Sequence, residues 1–163
     1  MIKAGVLSDS HLHQISSQYR ENCRQAFAEC EIIIHAGDLT ELSILSPFSD
    51  KKVYAVSGNM CSPDVQRRLP KKRTIEIEEV TIGISHGAGN RFNIEERVFT
   101  MFPDANCIVY GHTHLPVCHR YGPVLMVNPG SFQAVSRYGG PGSYAILTID
   151  GDNISGKIHY LTP

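Results

Sequence analysis

Residues 2–11 read Ile2-Lys3-Ala4-Gly5-Val6-Leu7-Ser8-Asp9-Ser10-His11. The first six form a short strand-like apolar run, and the last four form a polar tip carrying a carboxylate and an imidazole. The arrangement recurs. Ile32–Ile34 leads to His35-Ala36-Gly37-Asp38, and Val53–Val56 to Ser57-Gly58-Asn59. Val80–Ser85 leads to His86-Gly87, and Cys107–Tyr110 to Gly111-His112-Thr113-His114. Open α/β sheets gather their chemistry at the carboxyl ends of strands, so these tips are expected to meet at one sheet edge.

The first half alternates strands and helices, which implies a parallel sheet. Tyr19, Cys23, Ala26, Phe27 and Cys30 recur at helical spacing, predicting a helix from about Ser17. Glu41–Phe48 reads as a short helix stopped near Pro47. The second half is richer in strands. Thr74–Glu78 and Val80–Ser85 alternate across a tight link, a hairpin signal. Asn93 with Glu96 resembles a capping box for a helix ended by Pro103. Val117–Tyr121, Val124–Val127, Tyr144–Ile149 and Ile154–Tyr160 are further strands, with turns at Gly122-Pro123 and Gly151-Asp152-Asn153. The expected fold is α/β: one domain over residues 1–163, an αββα sandwich of two mixed β-sheets flanked by helices.

A chain of 163 residues can bury a real core without staples. Its formal net charge of −1 gives no bulk attraction to nucleic acid or an anionic membrane. The apolar runs are too short to span a bilayer. The first strand begins at Ile2, which leaves no room for a signal peptide. Five cysteines without a C-x-x-C pair point to a reducing cytoplasm rather than a disulfide framework. Cys23, Cys30 and Cys107 sit in apolar patterns, as small buried hydrophobes.

Asp9, His11, Asp38, Asn59, His86, His112 and His114 are the candidate metal ligands. Taken singly, each has an ordinary use. Asp38 suits a helix N-cap, Asn59 a turn after Gly58, and His86 a strand end. Together they supply mixed carboxylate, amide and imidazole donors, which suit Mn²⁺ first and also Ni²⁺, Fe²⁺, Zn²⁺ or Co²⁺, rather than Mg²⁺ or Ca²⁺. The pairs Asp9/His11 and His112/His114 are two residues apart, so extended backbone would point both members to one side. One open catalytic site uses about three or four protein ligands. Seven suffice for two divalent ions roughly 3.5–4 Å apart with a shared carboxylate.

The motif order D-x-H, G-D, G-N, H and G-H-x-H resembles that of the calcineurin-like metallophosphoesterase superfamily. It is carried here by Asp9-Ser10-His11, Gly37-Asp38, Gly58-Asn59, His86 and Gly111-His112-Thr113-His114. The small size and Asn128-Pro129-Gly130-Ser131 are most similar to the compact YfcE-like phosphodiesterases of bacteria and archaea. The resemblance implies that Asp9, His11 and His114 hold one metal and that Asn59, His86 and His112 hold a second. Asp38 would bridge them, with Asp38 and Asn59 also counted as catalytic. It implies hydrolysis of phosphodiesters by a hydroxide held between the ions, attacking phosphorus in line. Many relatives follow the asparagine with a histidine that assists the leaving group. This chain has Met60-Cys61-Ser62 there instead, and so no obvious general acid.

Arg91 and Cys61 are the candidate substrate contacts, Arg91 because a guanidinium suits a phosphate oxyanion. His35 is expected to hydrogen-bond in the core or behind the metal ligands. His13, His119 and His159 read as surface positions. Arg67–Arg73 holds five basic residues, but Glu76, Glu78 and Glu79 follow and no aromatics interleave, which disfavours nucleic acid. The expected partner is a small phosphoester, with a homo-oligomer, dimer or tetramer, as the open assembly state. Two other functions share the fold: a nuclease, which carries added domains, and a non-catalytic protein-interaction scaffold, which has lost part of the ligand set.

Overall fold

The structure is a computed structural model describing residues 1–133 and 140–162. Strands β1 (Ile2–Leu7), β2 (Ile32–His35) and β3 (Lys52–Ala55) pair in parallel. Strands β9 (Ser143–Asp150) and β10 (Asn153–Tyr160) extend that sheet antiparallel, giving the order β10-β9-β1-β2-β3. The second sheet runs β4-β5-β6-β8-β7. In it β5 (Val80–Ser85), β6 (Cys107–Val109) and β8 (Val124–Asn128) are parallel. Its two edges, β4 (Lys72–Ile77) and β7 (Val117–Tyr121), are antiparallel. Both sheets are therefore mixed, as expected.

Alternation along the strands builds three layers of core, because successive side chains leave opposite faces of a strand. Ala4, Val6, Ile34, Ile82, Val109 and Val127 meet between the sheets. Leu7 and Ile33 face outward under helix α1 (Ser17–Ala26), with Tyr19, Phe27 and Phe48. Ile108 and Met126 face outward under helix α3 (Ile94–Met101), with Val98 and Phe102. The result is helix, sheet, sheet, helix.

Two local expectations are corrected, and one helix is added. Pro47 does not stop a helix; it lies inside a 3-10 helix spanning Leu42–Phe48. The looser i to i+3 bonding there tolerates a residue without an N–H. Asn93 precedes α3 but makes no side-chain cap; its amide oxygen accepts from Arg97 Nε at 3.4 Å instead. Helix α2 (Pro63–Arg68) was not anticipated. Its signal was present: Ser62 accepts from Val65 N as N-cap, Pro63 opens the helix and Asp64 sits in the first turn.

Candidate metal centre

The tips after β1, β2, β5 and β6 converge, tied by backbone bonds. Asp9 N donates to Gly37 O at 2.9 Å, His11 N to Asp38 O at 3.1 Å and Gly111 N to His86 O at 3.2 Å. Asp9, His11 and His114 place donor atoms within 4.8 Å of one another, as do Asp9, Asp38 and His86. His11 Nε2 is 3.2 Å from His114 Nε2, and His114 Nε2 is 3.1 Å from Asp9 Oδ1. Asp38 Oδ2 is 3.1 Å from His86 Nε2 and 3.9 Å from His11 Nε2, so it stands between both groups.

The means of convergence differs from the extended-strand argument. Asp9 (φ 54°), His11 (φ 47°), Asp38 (φ 55°), His112 (φ 70°) and His114 (φ 61°) all have left-handed backbone. That conformation is uncommon for side-chain-bearing residues and costs about 1–3 kcal/mol each, so it persists only where the surroundings enforce it. The ligand-bearing turns are such a place. Each chain reverses direction at its tip rather than continuing as a strand, and this reversal aims the side chains.

Buttressing side chains hold the turns. Ser8 Oγ donates to Asp9 Oδ2 at 2.6 Å, and His112 N donates to the same oxygen at 3.1 Å. Ser131 Oγ donates to Asp9 O at 2.8 Å. Asn128, fully buried, donates to Gly111 O at 3.0 Å and Thr113 Oγ1 at 2.9 Å, and accepts from Gly130 N at 2.9 Å. Gly58 is required by close approach: a Cβ there would lie 2.1 Å from Asp38 Oδ1. His35, also fully buried, accepts from Gly37 N at Nδ1, which leaves Nε2–H to donate to Ser10 Oγ at 2.8 Å. Burial holds the His35 imidazole down at about 3, so it is neutral.

Two atoms test whether this cage fits a cation. Asp9 Oδ1 and His86 Nε2 are buried and, among the described residues, make no hydrogen bond, yet they lie 3.9 Å apart. An unsatisfied buried polar group costs about 1–3 kcal/mol, more when charged, so an orphaned pair facing one point fits a cation between them. Burial alone would raise the Asp9 carboxyl. The nearby His11, His114 and His86 imidazoles and the Ser8 hydroxyl outweigh burial and hold it well below the usual range. Burial alone would lower His86, but the Asp38 and Asp9 carboxylates outweigh it and leave a net upward shift. Burial is the leading cause of a lowered His112.

His112 packs edge-on to His86 at 5.3 Å between ring centroids, with Nε2 bonded to Gly89 O at 2.9 Å. Since a carbonyl only accepts, that nitrogen carries the proton and Nδ1 is the available donor to a metal. Sequence reasoning missed Arg97, whose guanidinium donates to the carbonyls of Gly87, Ala88 and Asn90 and so steadies the loop carrying Gly89. Its signal was helical spacing from Asn93.

Asn59 is exposed and lines a cleft of about 380 Å³ together with His86, Gln66, Lys71 and Met101. Neither expected substrate contact lines this cleft. Cys61 is buried in the core beneath α1, its Sγ accepting from Gly58 N at 3.2 Å. That position supports the Asn59 turn. Arg91 is exposed on the loop after His86.

A family model for the calcineurin-like phosphoesterase superfamily domain matches residues 2–152. The chain belongs to this superfamily. A Methanothermobacter thermautotrophicus protein named for a metallophosphoesterase is 34% identical over 157 residues, 94% of this chain and 90% of its own length. Phosphodiesterase YfcE of Escherichia coli is 33% identical over 106 residues, 61% of this chain; the match spans only 54% of YfcE. Vps29 of Entamoeba histolytica, solved in complex with zinc, has a TM-score of 0.73 at 19% identity, covering 98% of each chain. That likeness is one of fold. The superfamily is one of phosphoester hydrolases that bind divalent metal, and this chain carries candidate ligands for such an ion. Among the described residues no helix is long and apolar enough to cross a membrane.

Proposed function

We propose that this chain is a single-domain, dinuclear metal-dependent phosphodiesterase acting on a small phosphoester. The observation that carries the reading is the orphaned pair Asp9 Oδ1 and His86 Nε2, both buried and facing each other across 3.9 Å. In this reading Asp9, His11 and His114 would hold one ion, Asn59, His86 and His112 would hold the other, and Asp38 would serve both. Mn²⁺ is the first candidate for both. Divalent ions bound there supply a water of lowered pKa and neutralise charge on the phosphoryl oxygens.

The chain's own residues do the rest. Ser8 and the His112 N–H tie down Asp9 Oδ2, so that only Oδ1 points inward. Gly89 O and Ala36 O fix the tautomers of His112 and His86. Asn59 stands where the centre meets the cleft and orients a phosphoryl oxygen through its amide, with Arg91 as a second contact to the phosphate. The scaffold alternative is disfavoured because a donor side chain occupies every ligand position. Five free cysteines favour a reducing cytoplasm.

The test is elemental analysis of the purified protein, followed by a metal-swap screen on bis(p-nitrophenyl) phosphate. Two ions per chain and Mn²⁺-dependent turnover are expected. A protein that retains no divalent ion, or a fully loaded one inactive on several diesters, would overturn the reading.

A further inference from the structure

The basic run Arg67–Arg73 does not behave as one surface. Arg67 and Arg68 pair with Asp64 at 3.8 and 3.1 Å. Arg73 lies over the Tyr54 ring, 5.8 Å from its centroid. The compensation expected from Glu76, Glu78 and Glu79 is therefore met elsewhere. Lys71 differs from these arginines: among the described residues it makes no ion pair, and it lines the cleft that holds His86 and Asn59.

Its place is set by backbone bonds on both sides. Pro70 O accepts from Ser57 N at 2.9 Å, beside the Asn59 tip. Lys72 pairs with Ser85 as the last rung between β4 and β5, so Lys71 is one step further, alongside His86. Among the described residues no acidic side chain lines the cleft; Gln66 and Ser57 add polar groups and Met101 an apolar wall. A lone ammonium in an acid-free concavity with low-dielectric walls concentrates anions. The cleft's volume of about 380 Å³ is at the small end of the range for organic ligands.

We propose that Lys71 is the specificity residue of a subsite beside the metal centre, holding a terminal oxyanion, carboxylate or phosphate, on the diester arm that lies past His86. This rests on the phosphodiesterase reading and names its substrate class: diesters whose second arm carries its own negative charge.

Two measurements test it on the Mn²⁺-loaded protein. The first compares kcat/KM for p-nitrophenyl aryl diesters whose second arm ends in a carboxylate, a phosphate or a neutral carboxamide. A preference of about tenfold for a charged arm is expected, since a hydrogen bond to a charged group is worth at least that factor. Lys71→Met should bring the ratio close to one and Lys71→Arg should restore most of it. The carboxylate and phosphate arms identify which oxyanion is taken. The second measurement is calorimetric binding of 4-carboxyphenylphosphonate against phenylphosphonate, which needs no turnover. Equal affinity for the two in the parent protein, absence of binding included, overturns the subsite; so does a preference that survives Lys71→Met. A Lys71-dependent binding preference without hydrolysis of any diester leaves the subsite standing and removes the phosphodiesterase reading.

Discussion

His86 Nδ1 lies 2.8 Å from the backbone carbonyl oxygen of Ala36. The carbonyl can only accept, so Nδ1 is the protonated nitrogen and Nε2 faces Asp9 and Asp38. Those carboxylates raise the imidazole's pKa against the opposing effect of burial. A metal ion at Nε2 must displace the second proton that this upward shift favours there. Affinity for Mn²⁺ is therefore expected to fall as pH drops from about 8 to about 6, with proton release on binding. Calorimetry in buffers of different ionisation enthalpy measures both. A pH-independent affinity across that range would mean that His86 Nε2 is not a ligand.

Asp38 serves two purposes that mutation can separate. Its Oδ1 accepts from Met60 N at 2.7 Å, and its Oδ2 faces His86. Asp38→Ala removes both and should abolish retention of both ions. Asp38→Asn keeps an acceptor for Met60 N while removing the bridging charge. It should still cost more than the about 10–100-fold typical of residues that only support a ligand. His114→Ala should weaken mainly one ion. Metal titration followed by elemental analysis decides, and an Asp38→Asn protein that keeps two ions at parent affinity would exclude the bridging role.

Much of this centre was legible because short apolar runs ending in polar tips mark both strand and site in the same residues. The five tips, the two mixed sheets and the burial of Cys23, Cys30 and Cys107 follow from that pattern. What was not legible arises from contacts distant in sequence. Asn128 stood out as part of the motif Asn128-Pro129-Gly130-Ser131, but nothing in that motif shows that it bonds Gly111 and Thr113 across the sheet. Arg97 was missed because its targets are carbonyls, which leave no trace in side-chain identity. The left-handed φ of Asp9 and His11 was also hidden, since turn reversal and strand continuation place the same residue types two apart.

Gly58 and Gly122 separate two reasons for glycine. A Cβ at Gly58 would strike Asp38 Oδ1 at 2.1 Å and Asp38 N at 2.6 Å, so Gly58→Ala must push the Asn59 tip away. Loss of metal with limited loss of stability is the expected outcome. Gly122 has φ +59° and open space around it. Gly122→Ala should cost about 1–2 kcal/mol from backbone strain and leave metal binding intact. Urea denaturation beside metal titration measures both, and equal metal affinity in the two variants would contradict the close-approach argument.

His35 predicts the acid sensitivity of the metal-free protein. Burial lowers its folded pKa from 6.5 to about 3, so the unfolded chain takes up its proton first as pH falls. Its contribution is intact above pH 6.5 and is lost progressively down to about 3. The slope approaches about 1.4 kcal/mol per pH unit within that window. Asp9 adds to this only below its ordinary value of 3.8, but the lowered His112 acts in the same window, so the difference between parent and variant isolates His35. His35→Gln should flatten the stability profile there by about one proton. Thermal melts of the metal-free protein across that window test this, and an unchanged slope would show that the buried imidazole is protonated with its surroundings intact.

The residue after Asn59 is expected to govern which leaving groups the centre can release. Met60 is 58% exposed, and its N–H is tied to Asp38, so position 60 sits at the rim of the site with no proton to give. Cys61 is buried, and the Ser62 hydroxyl caps α2 by accepting from Val65 N. Positions 60 to 62 therefore offer no general acid, a contribution worth about 10²–10⁴-fold where present. Activated aryl diesters, whose leaving groups need no proton, should be hydrolysed far faster than alkyl monoesters. Met60→His places an imidazole at that rim and should raise turnover of a poor leaving group by at least about tenfold, with little gain on p-nitrophenyl esters. A Brønsted plot of rate against leaving-group pKa is the measurement. The parent should show a steep dependence and the histidine variant a shallower one; parallel lines would show that a proton donor already acts from elsewhere in the site.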